Sequence, residues 1–135
     1  MAIQVGLHHT VETMVGHENI ASSVGSGLVD VFATPMMIAQ MELAASKCIA
    51  AELESGQASV GTQLDVNHSA ASPVGARITT TATVTAVDGK MIRFSVIASD
   101  DAGEIGSGTH TRFIVDIKRF MEKADIRTQG TVTKL

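Results

Sequence analysis

Thr34–Gly56 reads TPMMIAQMELAASKCIAAELESG, and Ser59–His68, close behind it, reads SVGTQLDVNH. The first stretch predicts a helix. Thr34-Pro35 is a start signal, because a threonine can cap free amides and a proline at the first helical position lacks the amide that would go unpaired. Gly56 is the matching stop. At about 100° per residue, Gln40, Lys47, Ala51 and Glu54 cluster as the solvent stripe. Glu42 then falls about 150° from that stripe, level with Ile38, Ala45, Ile49 and Leu53, at the centre of the apolar face. In the second stretch the period drops to two. Val60, Thr62, Leu64, Val66 and His68 alternate with Ser59, Gly61, Gln63, Asp65 and Asn67, which predicts a strand with Val60, Leu64, Val66 and His68 facing inward.

Outward from this junction, Ile3–Val15 has strand character, and His17–Gly27 is a Gly/Ser-bearing connection. Pro73-Val74-Gly75 breaks the chain before a Thr-rich strand over Arg77–Val87. Asp88-Gly89 is a hairpin turn, and Met91–Ser99 follows with Ile92, Phe94, Val96 and Ala98 on one face. Asp100–Gly103 turns the chain again into a long strand, Glu104–Phe120, with Ile105, Phe113, Val115 and Ile117 in register. The polar tail beyond Met121 is expected to fray. The order is strand, helix and four strands, which predicts an α+β fold: an antiparallel sheet wrapped on one long helix, as a single domain over residues 1–135. One helix covers such a sheet only in part, so a homodimer is expected, with a tetramer as the larger alternative.

Composition narrows the function. The chain has 135 residues, no Trp, no Tyr and four Phe, with a net charge of −4. Aromatic stacking on single strands and electrostatic binding to duplexes are both disfavoured, so no nucleic-acid partner is expected. Residues 1–76 carry seven acids and one base, and residues 77–135 seven acids and nine bases; a polyanionic small ligand would find its cations in the second half. A single cysteine, Cys48, rules out an internal disulfide and fits a reducing compartment. With no long apolar run and no leader pattern at Met1–Thr10, a soluble cytoplasmic protein without a membrane partner is expected.

Few residues carry obvious chemistry. A carboxylate at Glu42 on an apolar face must be paired, hydrogen-bonded or protonated. His68 points toward the same interior, either as a satisfied core histidine or as a base tuned by the acid. Thr34 is either the helix cap or, with the amides of the helix start, part of an oxyanion site. Gly61 is either a bulge or the donor of a backbone amide to an oxyanion. Two glycines in Gly106-Ser107-Gly108-Thr109-His110-Thr111-Arg112 weaken a strand unless something approaches it closely, and Arg112 suits either a salt bridge or an anionic ligand. Phosphate-loop, dinucleotide, HExxH and GxSxG patterns are absent, and His8, His9 and His17 lack metal spacing, so no metal is expected.

Val31-Phe32-Ala33-Thr34 leading to Met41-Glu42, Gly61-Thr62, Val66–Ser72-Pro73-x-Gly75 and Glu104–His110-x-Arg112 together resemble the fluoroacetyl-CoA thioesterase family of hotdog-fold proteins, over about Val31–Phe120. The resemblance implies the hotdog fold and a hydrolase that cleaves an acyl-CoA thioester with Thr34, Glu42 and His68. It also implies a site at a dimer interface, with the Gly61 amide holding the thioester oxygen and Arg112 binding or supporting. Coenzyme A would be part of the substrate, with no resident cofactor. The family's best-known member shields its pocket with aromatic residues, whereas this chain has Ser23–Leu28 there. A different small acyl-CoA, or a broader range, is therefore expected. The alternatives are a non-catalytic acyl-CoA-binding dimer and a hotdog enoyl-CoA hydratase, although the latter's Asn-Pro step is missing.

Overall fold

The computed structural model describes residues 3–133, with side chains to residue 129. A strand β1 (His8–Met14) leads through a short 3-10 turn (His17–Asn19) and a four-residue helix α1 (Ala21–Val24) to the long helix α2 (Thr34–Ala50). Four strands follow, β2 (Gln57–His68), β3 (Arg77–Asp88), β4 (Met91–Asp100) and β5 (Gly103–Asp116), and then helix α3 (Ile117–Thr133). The sheet order is β1-β3-β4-β5-β2, antiparallel throughout, so β1 and β2 are its edges. The fold class is α+β, with α2 lying across one face of the five-stranded sheet.

The core lies between α2 and that face. From α2 come Met37, Met41, Ala44, Ala45, Cys48 and Ile49; from β3 and β4 come Ile78, Ala82, Val84, Ile92, Phe94, Val96 and Ala98. Small residues on α2 let the helix sit low on the sheet, while the alternating β-branched and aromatic side chains of β4 fill the space beneath it.

Several expectations need correction. Helix α2 ends at Ala50 rather than near Gly56, whose positive φ of 86° serves the turn into β2. The buried stripe of α2 comprises Met37, Met41, Ala44, Ala45, Cys48 and Ile49 and is centred near Met41 and Cys48, so Glu42 sits on its flank and not at its centre; its side chain is 42% exposed. His17–Gly27 contains the 3-10 turn and α1, fixed by buried Asn19, which accepts from the Gly16 amide and donates to the Met14 carbonyl. Strand β5 stops at Asp116, and the segment expected to fray forms α3 instead. Asp116 accepts from the Arg119 amide at its start, and Ile117, Phe120 and Met121 share one half-exposed face. Phe113 lies on the outer face of the sheet, because the inward positions of this half of β5 belong to His110, Arg112 and Ile114.

Strand β2 holds the most consequential departure. Its pairing with β5 shifts between Gly61 and Gln63, the mark of a bulge at Thr62. Before the bulge Gly61 faces Arg112, and after it Leu64 faces His110, so the inward positions are Ser59, Gly61, Leu64, Val66 and His68. Val60, expected inside, pairs with outward Phe113. Gly61 and His68 lie seven positions apart, an odd offset, and yet share a face.

Candidate active site

Two polar groups lie on the helix-facing side of β2, one toward each end. The first contains Thr34 and His68. Thr34 is the first residue of α2, not its cap: Ala33 occupies the cap position and no side chain bonds the free amides there. The Thr34 hydroxyl instead meets His68 Nδ1 at 2.8 Å. His68 Nε2 is out of solvent and has no hydrogen-bond partner. Burial lowers the pKa of this imidazole, with the Ala70 backbone acting weakly the other way, so its neutral, basic form dominates at pH 7. Beside the pair opens a cavity of about 290 Å3, lined by Gly27, Val31, Phe32, Thr34, His68 and Ala71 among others. Its walls are mostly small side chains, and Leu28, between the lining residues Gly27 and Val29 in the chain, is 97% exposed.

The second group surrounds Gly61. Arg112 is buried; its Nε and Nη2 donate to the hydroxyl and carbonyl oxygens of Ser59, both at 2.8 Å, and its Nη1 lies 3.2 Å from His110 Nε2. Arg112 Nη1 is also 3.9 Å from Glu42 Oε2, an ion pair and not a tight hydrogen bond. Desolvation lowers the guanidinium's pKa, and Glu42 opposes that shift. A Cβ at Gly61 would fall 2.6 Å from Glu42 Oε2, 3.0 Å from His110 Cε1 and 3.3 Å from Arg112 Nη1. Glycine leaves the carboxylate where it stands, and any side chain here would push it aside.

All five expected residues thus line the inner side of the molecule, but one chain divides them. Glu42 pairs with Arg112 rather than with His68, and His68 pairs with Thr34. Eight residues of helix separate Thr34 from Glu42, about 12 Å of rise. Seven residues of strand separate Gly61 from His68, roughly 20 Å. The glycines of β5 are explained by packing: a Cβ on Gly106 would fall 2.5 Å from the Asn67 carbonyl oxygen and 2.6 Å from Met37 Sδ, and one on Gly108 would overlap the β2 backbone at Asp65. Among the described residues no three His, Cys, Asp or Glu side chains group to hold a metal.

Sequence reasoning missed Ser59 and His110. His110 was legible in principle, being two residues before Arg112 and so on the same side of β5. Ser59 was hidden by the bulge, which reverses the phase assigned to the first half of β2.

Comparison with known proteins bears on the family and the fold. Residues 3–118 match the model of the fluoroacetyl-CoA-specific thioesterase family. The fluoroacetyl-CoA thioesterase of Streptantibioticus cattleyicolor is 40% identical over 99 residues, which are 73% of this chain and 71% of that protein. A solved structure of the fluoroacetyl-CoA thioesterase FlK superposes with a TM-score of 0.88 at 33% identity, covering 93% of this chain and 97% of that one. A thioesterase superfamily member from Thermus thermophilus gives a TM-score of 0.88 at 27% identity, over 99% of this chain and 98% of that one. The fold is the hotdog fold, and the chain belongs to the fluoroacetyl-CoA-specific thioesterase family.

Proposed function

We propose that this protein hydrolyses the thioester of a small acyl-CoA to the free acid and CoA, at a site that two subunits complete together. Membership of a thioester-hydrolase family supports the reaction class. A solved variant of the fluoroacetyl-CoA thioesterase, 34% identical to this chain, holds fluoroacetate and CoA. The small cavity beside Thr34 and His68 supports a short acyl group, and the aromatic-free stretch Ser23–Leu28, whose Ser26 and Gly27 line it, favours a range wider than fluoroacetyl alone. Coenzyme A arrives as part of the substrate, with no resident cofactor. The free, buried Cys48 suits a reducing cytoplasm.

One observation carries the two-subunit reading: His68 Nε2 is buried without a partner, while the candidate acid Glu42 lies two helical turns away beside Arg112. Strand β2, twelve residues long, is an unpaired sheet edge. A two-fold axis beside Ile38 and across the middle of β2 would set Thr34 opposite the partner's Glu42. The same axis would set His68 opposite the partner's Gly61. Ile38 and Leu64 are both half-buried in the single chain, as residues awaiting cover would be.

In that arrangement the thioester oxygen meets the Gly61 amide, and the neutral His68 and Glu42 face the carbonyl carbon from two sides. Attack by water, its proton passing to Glu42 or His68, gives a tetrahedral intermediate. Collapse breaks the C–S bond, and the thiolate takes a proton as CoA leaves. In the covalent variant the Glu42 carboxylate attacks first, CoA departs, and water splits the resulting anhydride. A non-catalytic acyl-CoA binder would bind substrate without releasing thiol.

Subunit mixing tests the reading. Glu42→Ala and His68→Ala proteins are each expected to lose most thiol release from short acyl-CoAs, since acid–base groups contribute about 10²–10⁴-fold. Mixed and reassociated, they should regain about a quarter of wild-type activity, because half the dimers then hold one intact site of two. No recovery from a mixture shown to exchange subunits would refute the shared site. Wild-type rates in both single variants would refute the chemistry.

A further inference from the structure

His110 takes no part in the steps above, yet it is fully buried against the site. Its ring stacks on Phe94 with centroids 6.1 Å apart. Nδ1 lies 2.8 Å from the Gln63 carbonyl, just past the bulge, and Nε2 lies 3.2 Å from Arg112 Nη1. These partners fix its state. A carbonyl can only accept, so Nδ1 carries the hydrogen; a guanidinium can only donate, so Nε2 is bare. We propose that His110 is a positioning residue: as a neutral imidazole it pins one amine of Arg112, keeps the guanidinium aimed at Glu42, and so acts on thioester hydrolysis through Arg112.

The geometry of Arg112 gives the reason. Ser59 takes Nε and Nη2, and His110 takes one hydrogen of Nη1, which holds the planar fork at both ends beside Glu42. Without the His110 acceptor, the fork could pivot about Ser59. Protonation of His110 would have the same effect, turning Nε2 into a donor that faces a donor and placing two cations together in a buried site. The charged groups facing the ring are Arg112 of β5 and Glu42 of α2; β2 and β4 present the Gln63 carbonyl and the Phe94 ring, which do not titrate. Burial holds the imidazole below its ordinary pKa against the opposing Gln63 carbonyl. Arg112 adds to the lowering and Glu42 works against it, and the net direction favours the neutral form the geometry requires.

The inference rests on the thioesterase reading, and the experiment separates the two. Thiol release from a short acyl-CoA is measured for wild type, His110→Phe, His110→Gln, Arg112→Gln and the His110→Phe/Arg112→Gln double variant. His110→Phe should lower kcat about tenfold or more with KM within about twofold. His110→Gln, whose amide can donate to Gln63 and accept from Arg112, should recover most of that loss. In the Arg112→Gln background, His110→Phe should change kcat less than about twofold, because its route of action is gone. Losses that multiply independently, or wild-type kcat in His110→Phe, would overturn the role. Nitrogen-15 NMR of the wild-type imidazoles needs no variant to fold: His110 protonated on Nδ1 alone at pH 7 supports the proposal, and an Nε2–H tautomer or an imidazolium overturns it. A wild-type protein that released no thiol would instead remove the functional reading itself.

Discussion

Replacing Gly61 with alanine adds one methyl group at the most crowded point of the site. The new carbon would fall 2.6 Å from Glu42 Oε2, where ordinary contact begins near 3.4 Å, so the carboxylate must retreat by about 0.8 Å. It can do so, being half-exposed at the end of a flexible side chain. The His110 ring cannot retreat as easily, since 3.0 Å to Cε1 is already tight and the ring is held by Gln63, Arg112 and Phe94. Overpacking of this kind costs about 1–3 kcal/mol. The low end applies here, because the nearest atom is mobile and the glycine's own φ is not positive. About 1 kcal/mol in a domain of this size lowers Tm by roughly 4 °C. A catalytic group displaced by nearly 1 Å costs far more in rate, on the order of 10²-fold. Gly61→Ala should therefore melt a few degrees below wild type, with native circular dichroism, and hydrolyse short acyl-CoAs about a hundred times more slowly. A folded Gly61→Ala protein with wild-type kcat would show that neither the Glu42 carboxylate nor the Gly61 position bears on the chemistry.

Thr34→Val removes the hydroxyl that meets His68 but keeps the shape of the side chain. Because Thr34 caps nothing, stability should change by less than about 0.5 kcal/mol while kcat/KM falls roughly tenfold, and Thr34→Ser should stay near wild type. A loss of about 1 kcal/mol with normal kcat/KM would restore Thr34 as a simple cap. Both His68 and His110 are held below the ordinary value of 6.5, so the folded state binds fewer protons than the unfolded chain just below that pH. Their contribution to stability is complete above pH 6.5 and is lost as pH falls through the folded-state values. Tm and kcat/KM should be level from pH 8 to 6.5 and decline together below it; a Tm that rose between pH 6.5 and 5.5 would contradict the assignment.

The architecture was readable because its signals were local and redundant. The Thr34-Pro35 start, the change of period after Gly56 and the Asp88-Gly89 turn each depend on a few neighbouring residues, and all point to one helix on an antiparallel sheet. Glu42, Gly61, His68 and Arg112 were legible as residues out of keeping with their surroundings. Their pairing was not. Periodicity treats a strand as regular, and the bulge at Thr62 reversed the phase of everything before it, which hid Ser59 and misplaced Val60. Helical angle put Glu42 at the centre of the apolar face, but the buried face is set by where the sheet lies, and packing of Met37, Met41 and Cys48 turned Glu42 to the flank. The tail was misread because its apolar positions are sparse, although Ile117, Phe120 and Met121 recur at helical spacing.

The extra residue in β2 behaves like a reading frame written in three dimensions. On a uniform ribbon, positions 61 and 68 have opposite parity, and no choice of side chains can bring both to the same surface. One surplus residue between them corrects the parity without lengthening the ladder. Excision of Thr62 would preserve every named functional group and still turn Ser59 and Gly61 outward, away from the acid and its guanidinium. The site therefore depends on a count of residues as strictly as on their identities.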